Sequence, residues 1–545
     1  MISGKQDSDR KESPRRTNRG YDDEEEPSQS TAKVLLICLS VLAFAFILAL
    51  GFEPEAEHSH LKTASTSGEK YAAAVMGKPH TKVDERYVQR FFDKQIVNHF
   101  SDKEDEYWSH RYFQSTEYFK GPGHPIFLII CGEEHIDYGM LYPFIHQTLA
   151  KKFGAAVVQT EHRFYGPYQP VKNATNQQLL ELLTPHQALS DNVNLIRHLR
   201  HHEFGCSGDR NSKHYCPIVT VGGSYPGFLS AMFRLVYPEV IDISYASSAP
   251  LKIHAQTADQ NAPYDVVTRA ADRASPGCAA AVKKTLLDMV DAVMSAKDLD
   301  SAATTVGLCA GSVPSFIPNA EELQKALVQI VSFKFAEDSM SLYPPGPDSG
   351  MYETCQTFQQ DKPSMEIMRD FLVTLDDPIK PCLDLMTQVP KGERTTFDDS
   401  DGEYDDGKNW DFQICNDYVF LLGFSKTSMF PEYHSTYEHL TDHCVNRFGI
   451  HPRPWELVEK WGFDDLSNAS YILFTNGLQD MWSGVSYTEN ISDTVVAINF
   501  ENGAHHSDLR NLPNPEKDTP DLLEGFQKIE ATLEQWLKEI REQKE

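Results

Sequence analysis

The sequence predicts an α/β fold: one domain of alternating strands and helices, split by a mostly helical insertion and preceded by a single membrane-spanning helix. Three observations carry this. Short continuous apolar runs, of which 125–131 (PIFLIIC) is the plainest, have the pattern of strands buried on both faces of a sheet. Helical stretches alternate with these runs, as parallel strands require of their connections. Residues 34–52 are uncharged and apolar, about the length that crosses a bilayer as a helix.

Taken in order, residues 1–33 are polar and charged, with Arg10, Lys11, Arg15, Arg16 and Arg19 ahead of an acidic run at 22–26. Such a segment cannot bury apolar surface and reads as a disordered cytoplasmic tail. The span at 34–52 follows Lys33 and the arginines and precedes Glu53, Glu55 and Glu57, so the positive-inside rule sends everything after it across the membrane. A cleaved signal peptide is the alternative, but its charged leader would be far shorter than 33 residues. The expectation is an uncleaved signal anchor, with the folded part lumenal or extracellular: endolysosomal, vacuolar or at the cell surface. Sequons at Asn173, Asn468 and Asn490 and the cysteine usage agree with that compartment. Cys38 lies in the span and Cys131 ends an apolar strand as a buried thiol, which leaves eight cysteines for bridges.

A polar stem occupies 53–85. The α/β domain's first part, 86–260, has strand signals at 125–131, 155–160, 218–221 and 243–246, and a helix at 184–199 that opens with Thr-Pro. From 261 to 440 the texture is helical, at 279–294 and 320–333, interrupted by a Pro/Gly-rich loop at 343–350 and an acidic loop at 398–407. The domain's second part, 441–545, returns to strands at 470–475 and 494–500. It closes with an amphipathic helix whose apolar face holds Phe526, Ile529, Leu533, Trp536, Leu537 and Ile540. Composition excludes other classes. The net charge of −29 over 545 residues argues against nucleic acid as a partner. No C-x-x-C pair occurs, and the glycines of the acidic loop do not fall where an EF-hand needs them, so neither a metal nor another cofactor is expected.

The chemistry begins after the strand at 218–221. Gly222-Gly223-Ser224-Tyr225-Pro226-Gly227 leads into a helical run, the form of a nucleophile elbow that pushes one serine hydroxyl out of a sharp strand-to-helix turn. The following helix N-terminus favours developing negative charge. Serine needs a base and the base an orienting acid, in the chain order Ser, Asp, His on such a sheet. Asp480 follows the strand at 471–475, and the pair His505-His506 follows the strand at 495–500. Open α/β sheets place their sites at these strand ends.

The chain resembles the serine carboxypeptidase S28 family, the group of lysosomal Pro-X carboxypeptidase, dipeptidyl peptidase II and thymus-specific serine protease. The resembling stretches run in order from 92–100 (FDKQIVNHF lies within it) through Arg111-Tyr112-Phe113, Cys131-Gly132-Glu133-Glu134, 161–166 (EHRFYG), 222–227, 247–250 (SSAP), 410–415 (WDFQIC) and 476–482 to 504–510 (AHHSDLR). The resemblance implies an α/β-hydrolase fold with a helical cap, and a triad of Ser224 as nucleophile, Asp480 as acid and His505 as base. It places His506 and Arg510 behind the triad, and the oxyanion donors at the N–H of Tyr225 and one from the loop holding Glu133. Trp482 and Trp410 become candidates for an apolar pocket that takes proline, and both are equally good packing residues. It also implies the disulfides Cys278–Cys355, Cys309–Cys382 and Cys415–Cys444; Cys206 and Cys216 pair by proximity.

The implied activity is exopeptidase action on peptide substrates after proline near a chain end, in an enzyme that can be a homodimer. The pattern departs from the family at Pro226, where relatives often have glycine, at Cys131-Gly132-Glu133-Glu134 in place of Gly-Gly-Glu-Gly, at Gln479-Asp480-Met481-Trp482 in place of Leu-Asp-Pro-Trp, and at Cys415-Asn416-Asp417 in place of Cys-Thr-Glu. Two alternatives stay open: a non-catalytic type II ectodomain that binds peptides or partners, and a lipase or esterase on the same fold.

Overall fold

The computed structural model describes residues 86–102, 106–136, 142–375, 380–388 and 406–542. The tail, span and stem expected at 1–85, and nearly all of the acidic loop, lie outside the described residues. Among the described residues, no helix is long and apolar enough to cross a membrane.

Eight strands form one sheet: β1 (Val88–Ile96), β2 (Tyr107–Ser115), β3 (Ile126–Ile130), β4 (Ala156–Thr160), β5 (Ile218–Gly223), β6 (Ile243–Ser247), β7 (Ile472–Gly477) and β8 (Val495–Phe500). Their order is β1-β2-β4-β3-β5-β6-β7-β8. From β3 onward every pairing is parallel, while β1–β2 and β2–β4 are antiparallel. This mixed sheet with helices on both faces is the architecture of an α/β-hydrolase. The apolar runs become strands because both faces are covered: every residue of β3, β4, β5, β6 and β7 is buried.

One face packs against α1 (Pro185–His198) and α2 (Tyr225–Val236). Thr184 caps α1, its side chain accepting from the Gln187 N–H, with Pro185 following where a missing N–H costs nothing. The insertion is built on α3 (Ala262–Ala274), α4 (Cys278–Met294) and α5 (Ala320–Met340). Its apolar core takes in Met481, Trp482, Val485 and Ala504 from the loops after β7 and β8, so the cap and those loops share one interior. Next come α6 (Asp406–Asn416) and α7 (Tyr437–Phe448), whose Trp410, Phe412, Ile414, Leu440 and Phe448 pack instead in the core of the sheet's first face. The last helix, α8 (Pro520–Glu542), lays Phe526, Ile529, Leu533, Trp536, Leu537 and Ile540 on the sheet's other face with Phe127, Val219 and Leu473.

Disulfides join Cys278 to Cys355 and Cys309 to Cys382 within the cap, Cys415 to Cys444 between α6 and α7, and Cys206 to Cys216 across a short loop. Cys131 is a buried free thiol. The sequon asparagines Asn173, Asn468 and Asn490 are all exposed.

The antiparallel hairpin β1–β2 has no counterpart in the sequence reading. Its strands lack apolar runs, because β1 is an edge strand with most side chains in solvent and β2 buries polar groups. His110 bonds to Gln95 and to the Glu161 carbonyl, and Arg111 pairs with Glu161. Beneath them Arg163 is wholly buried on Asp191, whose carboxyl it holds down to about 2 against the opposing effect of burial.

Candidate active site

β5 ends in Gly222-Gly223, and the chain reverses at Ser224 into α2. Ser224 has φ 63° and ψ −129°, a conformation that costs an L-residue about 1–3 kcal/mol and persists only where its surroundings enforce it. Here the Ser224 N–H donates to the Ser247 carbonyl at 2.9 Å, and the Phe228 N–H donates to the Ser224 carbonyl at 3.0 Å. The turn is too tight for side chains on either flank. A Cβ at Gly222 would lie 2.0 Å from the Pro226 carbonyl oxygen, and one at Gly227 would lie 2.7 Å from that of Ser247. Ser224 is partly exposed between buried neighbours, so the strained residue is the one that meets solvent.

Asp480 and His505 come together. The His505 Nδ1 lies 2.7 Å from Asp480 Oδ2, with the carboxylate fully buried and the imidazole nearly so. A carboxylate only accepts, so Nδ1 carries the proton and Nε2 keeps the lone pair of a base. The second Asp480 oxygen accepts from the Trp482 N–H at 3.1 Å, which fixes the carboxylate's orientation.

Adjacent His506 is stacked on His505, ring centroids 3.8 Å apart, and lies over the elbow: its Nε2 is 2.6 Å from where a Cβ of Gly223 would stand. Its N–H donates to Ser248 Oγ at 3.3 Å. Burial first, then repulsion from Arg510 and from His505 whenever that ring is protonated, hold its pKa well below the usual histidine value, so it stays neutral. Arg510 is partly buried and its N–H donates to the His506 carbonyl at 3.1 Å, capping the short turn that carries both histidines.

Tyr225 is buried with its hydroxyl in a polar chain. His162 Nδ1 donates to the Arg163 carbonyl, leaving Nε2 to accept from the Tyr225 hydroxyl at 2.9 Å. That hydroxyl accepts from Gln413 Nε2 at 3.2 Å, and Tyr165 donates to Gln413 Oε1. Burial pushes His162 down to about 4, consistent with a neutral ring in this chain. Across the elbow, Gly132 packs on Tyr225 and Pro226, which brings the loop of Glu133 beside the serine turn. Although its side chain is still partly accessible, enclosure by the surrounding protein pushes the Glu133 carboxyl up to about 8, against the opposing pull of its own backbone N–H.

The two tryptophans have different settings. Trp482 is buried in the cap core with its indole N–H on Met340 Sδ at 3.2 Å. Trp410 packs 5.1 Å from the Tyr225 ring, and its buried indole N–H has no hydrogen-bond partner among the described residues. Asp411, Cys415 and His443 come within metal-ligand distance of one another, but each is committed elsewhere. Cys415 is in a disulfide, and Asp411 takes His443 at 2.9 Å and Arg447 at 2.6 Å.

Profile comparison agrees with the geometry: the family model of serine carboxypeptidase S28 matches residues 95–529. The chain belongs to the serine carboxypeptidase S28 family. Lysosomal Pro-X carboxypeptidase of Mus musculus is 28% identical over 457 residues, covering 80% of this chain and 88% of that one. Prolyl carboxy peptidase like protein 5 of Caenorhabditis elegans is 27% identical over 496 residues, 84% and 90% of the two chains. Thymus-specific serine protease of Mus musculus is 24% identical over 470 residues, 82% and 87%. As a member of this family the chain is a serine-type peptidase.

Sequence reasoning passed over three groups that hold this S28 site. The Met340 carbonyl, at the end of α5, accepts from the His505 N–H at 3.0 Å, and Ser339 Oγ donates to the Gln479 carbonyl at 2.6 Å. The cap thus grips both the loop of Asp480 and the loop of His505. Third, Asp508 accepts from Tyr245, Ser247 and Thr475 hydroxyls at 2.6, 2.8 and 2.6 Å, pinning the histidine loop to β6 and β7. Hydroxyl residues inside two apolar strands were the available signal.

Proposed function

We propose that this chain is a membrane-anchored serine exopeptidase that cleaves peptides after proline near a chain end. Ser224 is the nucleophile, His505 the general base and Asp480 the acid that orients it. Ser224 Oγ attacks the scissile carbonyl while His505 Nε2 takes its proton. The tetrahedral oxyanion is met by the Tyr225 N–H and a donor from the loop of Glu133. Collapse expels the leaving amine, protonated by His505, and leaves an acyl-enzyme. Water then repeats the sequence through the same imidazole.

The observation that carries this reading is the 2.7 Å His505–Asp480 bond, linked through His506, which stacks on His505 and lies over Gly223, to the elbow that holds Ser224 at positive φ. The proline preference rests on the names of two relatives and on Trp410, which packs against Tyr225 of the elbow, with Trp482 of the cap core as the second candidate. The anchor at 34–52, with the catalytic part lumenal or extracellular, rests on its hydropathy and flanking charge, and on three exposed sequons.

Mass spectrometry of products from a proline-containing peptide library over several pH values tests the activity, with Ser224→Ala as control. It reports the bond cut and the chain end read. Products that persist in Ser224→Ala, or cleavage with no proline preference, would reject the corresponding part of the proposal.

A further inference from the structure

Gly132 and Pro226 meet where the oxyanion loop crosses the elbow. A Cβ at position 132 would lie 2.6 Å from Pro226 Cγ, 2.7 Å from its Cδ and 3.0 Å from Tyr225 Cδ1. None of these neighbours can yield. The pyrrolidine is a closed ring, and the Pro226 carbonyl is already packed so tightly on Gly222 that a Cβ there would sit 2.0 Å away. Tyr225 is fixed by hydrogen bonds to His162 and Gln413 and by the rings of Trp410 and Tyr418. The loop backbone therefore rests in van der Waals contact on a rigid platform.

The same platform is short of donors. The Ser224 N–H is spent on the Ser247 carbonyl, and proline at 226 has no N–H. Of the three elbow amides only Tyr225 remains for a developing oxyanion, so a second donor must come from the loop that Gly132 begins.

Resting on the peptidase reading above, we propose that Pro226 and Gly132 form an interlock that sets the height of the oxyanion loop over Ser224. Pro226 is a positioning residue in this device. It removes one potential donor from the elbow and, through its ring, holds in place the loop that supplies the other.

The test uses the full chain and three forms of it: Gly132→Ala, Pro226→Gly and the double variant. Each is followed by thermal unfolding, by kcat and KM on a fluorogenic proline-containing peptide, and by the rate at which a fluorophosphonate labels Ser224. Gly132→Ala is expected to lower kcat and labelling about 100-fold, the scale of one lost oxyanion donor, with KM within about twofold. Removing the ring in the double variant relieves the clash and recovers about tenfold, a non-additive result that a merely structural defect would not give.

Gly132→Ala at wild-type rates overturns the interlock, as does a folded double variant no faster than Gly132→Ala. If Gly132→Ala does not fold, Pro226→Gly decides alone: the void over Gly132 lets the loop shift, and kcat falls about tenfold. Full kcat in that variant overturns the proposal. A wild-type chain that takes no label and cuts no peptide rejects the peptidase reading, and the interlock's catalytic role with it; slow variants beside an active wild type isolate the interlock.

Discussion

Asp508 offers the sharpest test of how the site is held. It is buried and accepts three hydroxyl hydrogen bonds, from Tyr245 and Ser247 on β6 and from Thr475 on β7. Asp508→Ala leaves three buried donors without an acceptor. At about 1–3 kcal/mol for each unsatisfied group the loss is roughly 3–9 kcal/mol. That is comparable with the whole stability of a domain, about 5–15 kcal/mol, so the variant is expected to be largely unfolded. Asp508→Asn is the informative change. Its carbonyl oxygen has two lone pairs and serves two of the three hydroxyls. The third faces an NH2 group, while the cost of burying the carboxylate, which raises the Asp508 pKa, disappears. The net loss is about 1–2 kcal/mol, and the variant folds.

Catalysis is expected to suffer more than stability. His505 lies on the same short loop, and an imidazole displaced by about 1 Å costs up to about 100-fold in rate. Urea denaturation gives the first number. The second comes from kcat and the fluorophosphonate labelling rate, with KM unchanged. Asp508→Asn with wild-type kcat, or Asp508→Ala as stable as the parent chain, refutes the view that these three hydroxyls anchor the histidine loop.

Other outcomes follow from the same contacts. Asp480→Asn keeps the shape but reverses the hydrogen bond that sets the His505 tautomer, and kcat should fall by about 10⁴ with the fold intact. Replacing Cys278 and Cys355 by serine opens a link of sequence separation 77 and should lower stability by about 4 kcal/mol, read as an earlier unfolding of the cap. Stability should also depend on pH in two opposing ways. Burial pushes Glu337 up to about 8 and Asp417 up to about 7, so their contribution is fully present below about pH 4 and is lost as pH rises through 7 to 8. Buried His162 and His254, held down to about 4 and about 3, contribute above about pH 6.5 and lose that contribution as pH falls toward their folded values. Scanning calorimetry should therefore find the highest unfolding temperature at mildly acidic pH, with a fall between about pH 6.5 and 8; a steady rise through that window contradicts these assignments.

Much of the sheet was legible because parallel strands buried on both faces must be apolar throughout. The runs at 125–131, 155–160 and 218–221 became β3, β4 and β5. The helix expected at 184–199 carries its Thr184 cap, and the final amphipathic face packs as its spacing implies. The hairpin β1–β2 was hidden because its buried residues are polar and are satisfied by partners distant in sequence, such as Arg111 with Glu161. Around the site, the strand ends marked Ser224, Asp480 and His505, and the structure joins the last two by a hydrogen bond. What escaped was main-chain: the Met340 carbonyl has no side-chain signature, and any residue at 340 would present the same oxygen. The rings of Trp410 and Tyr225 meet 5.1 Å apart, a pairing that no local pattern in α6 announces.

The hold of α5 on both loops has a mechanical corollary. Because the end of this helix accepts the His505 N–H while Ser339 reaches the carbonyl beside Asp480, lifting the roof would break both of these hydrogen bonds. On the peptidase reading proposed above, a substrate has to reach Ser224 with this roof in place, because displacing α5 would cost the contacts that tie down the loops of Asp480 and His505.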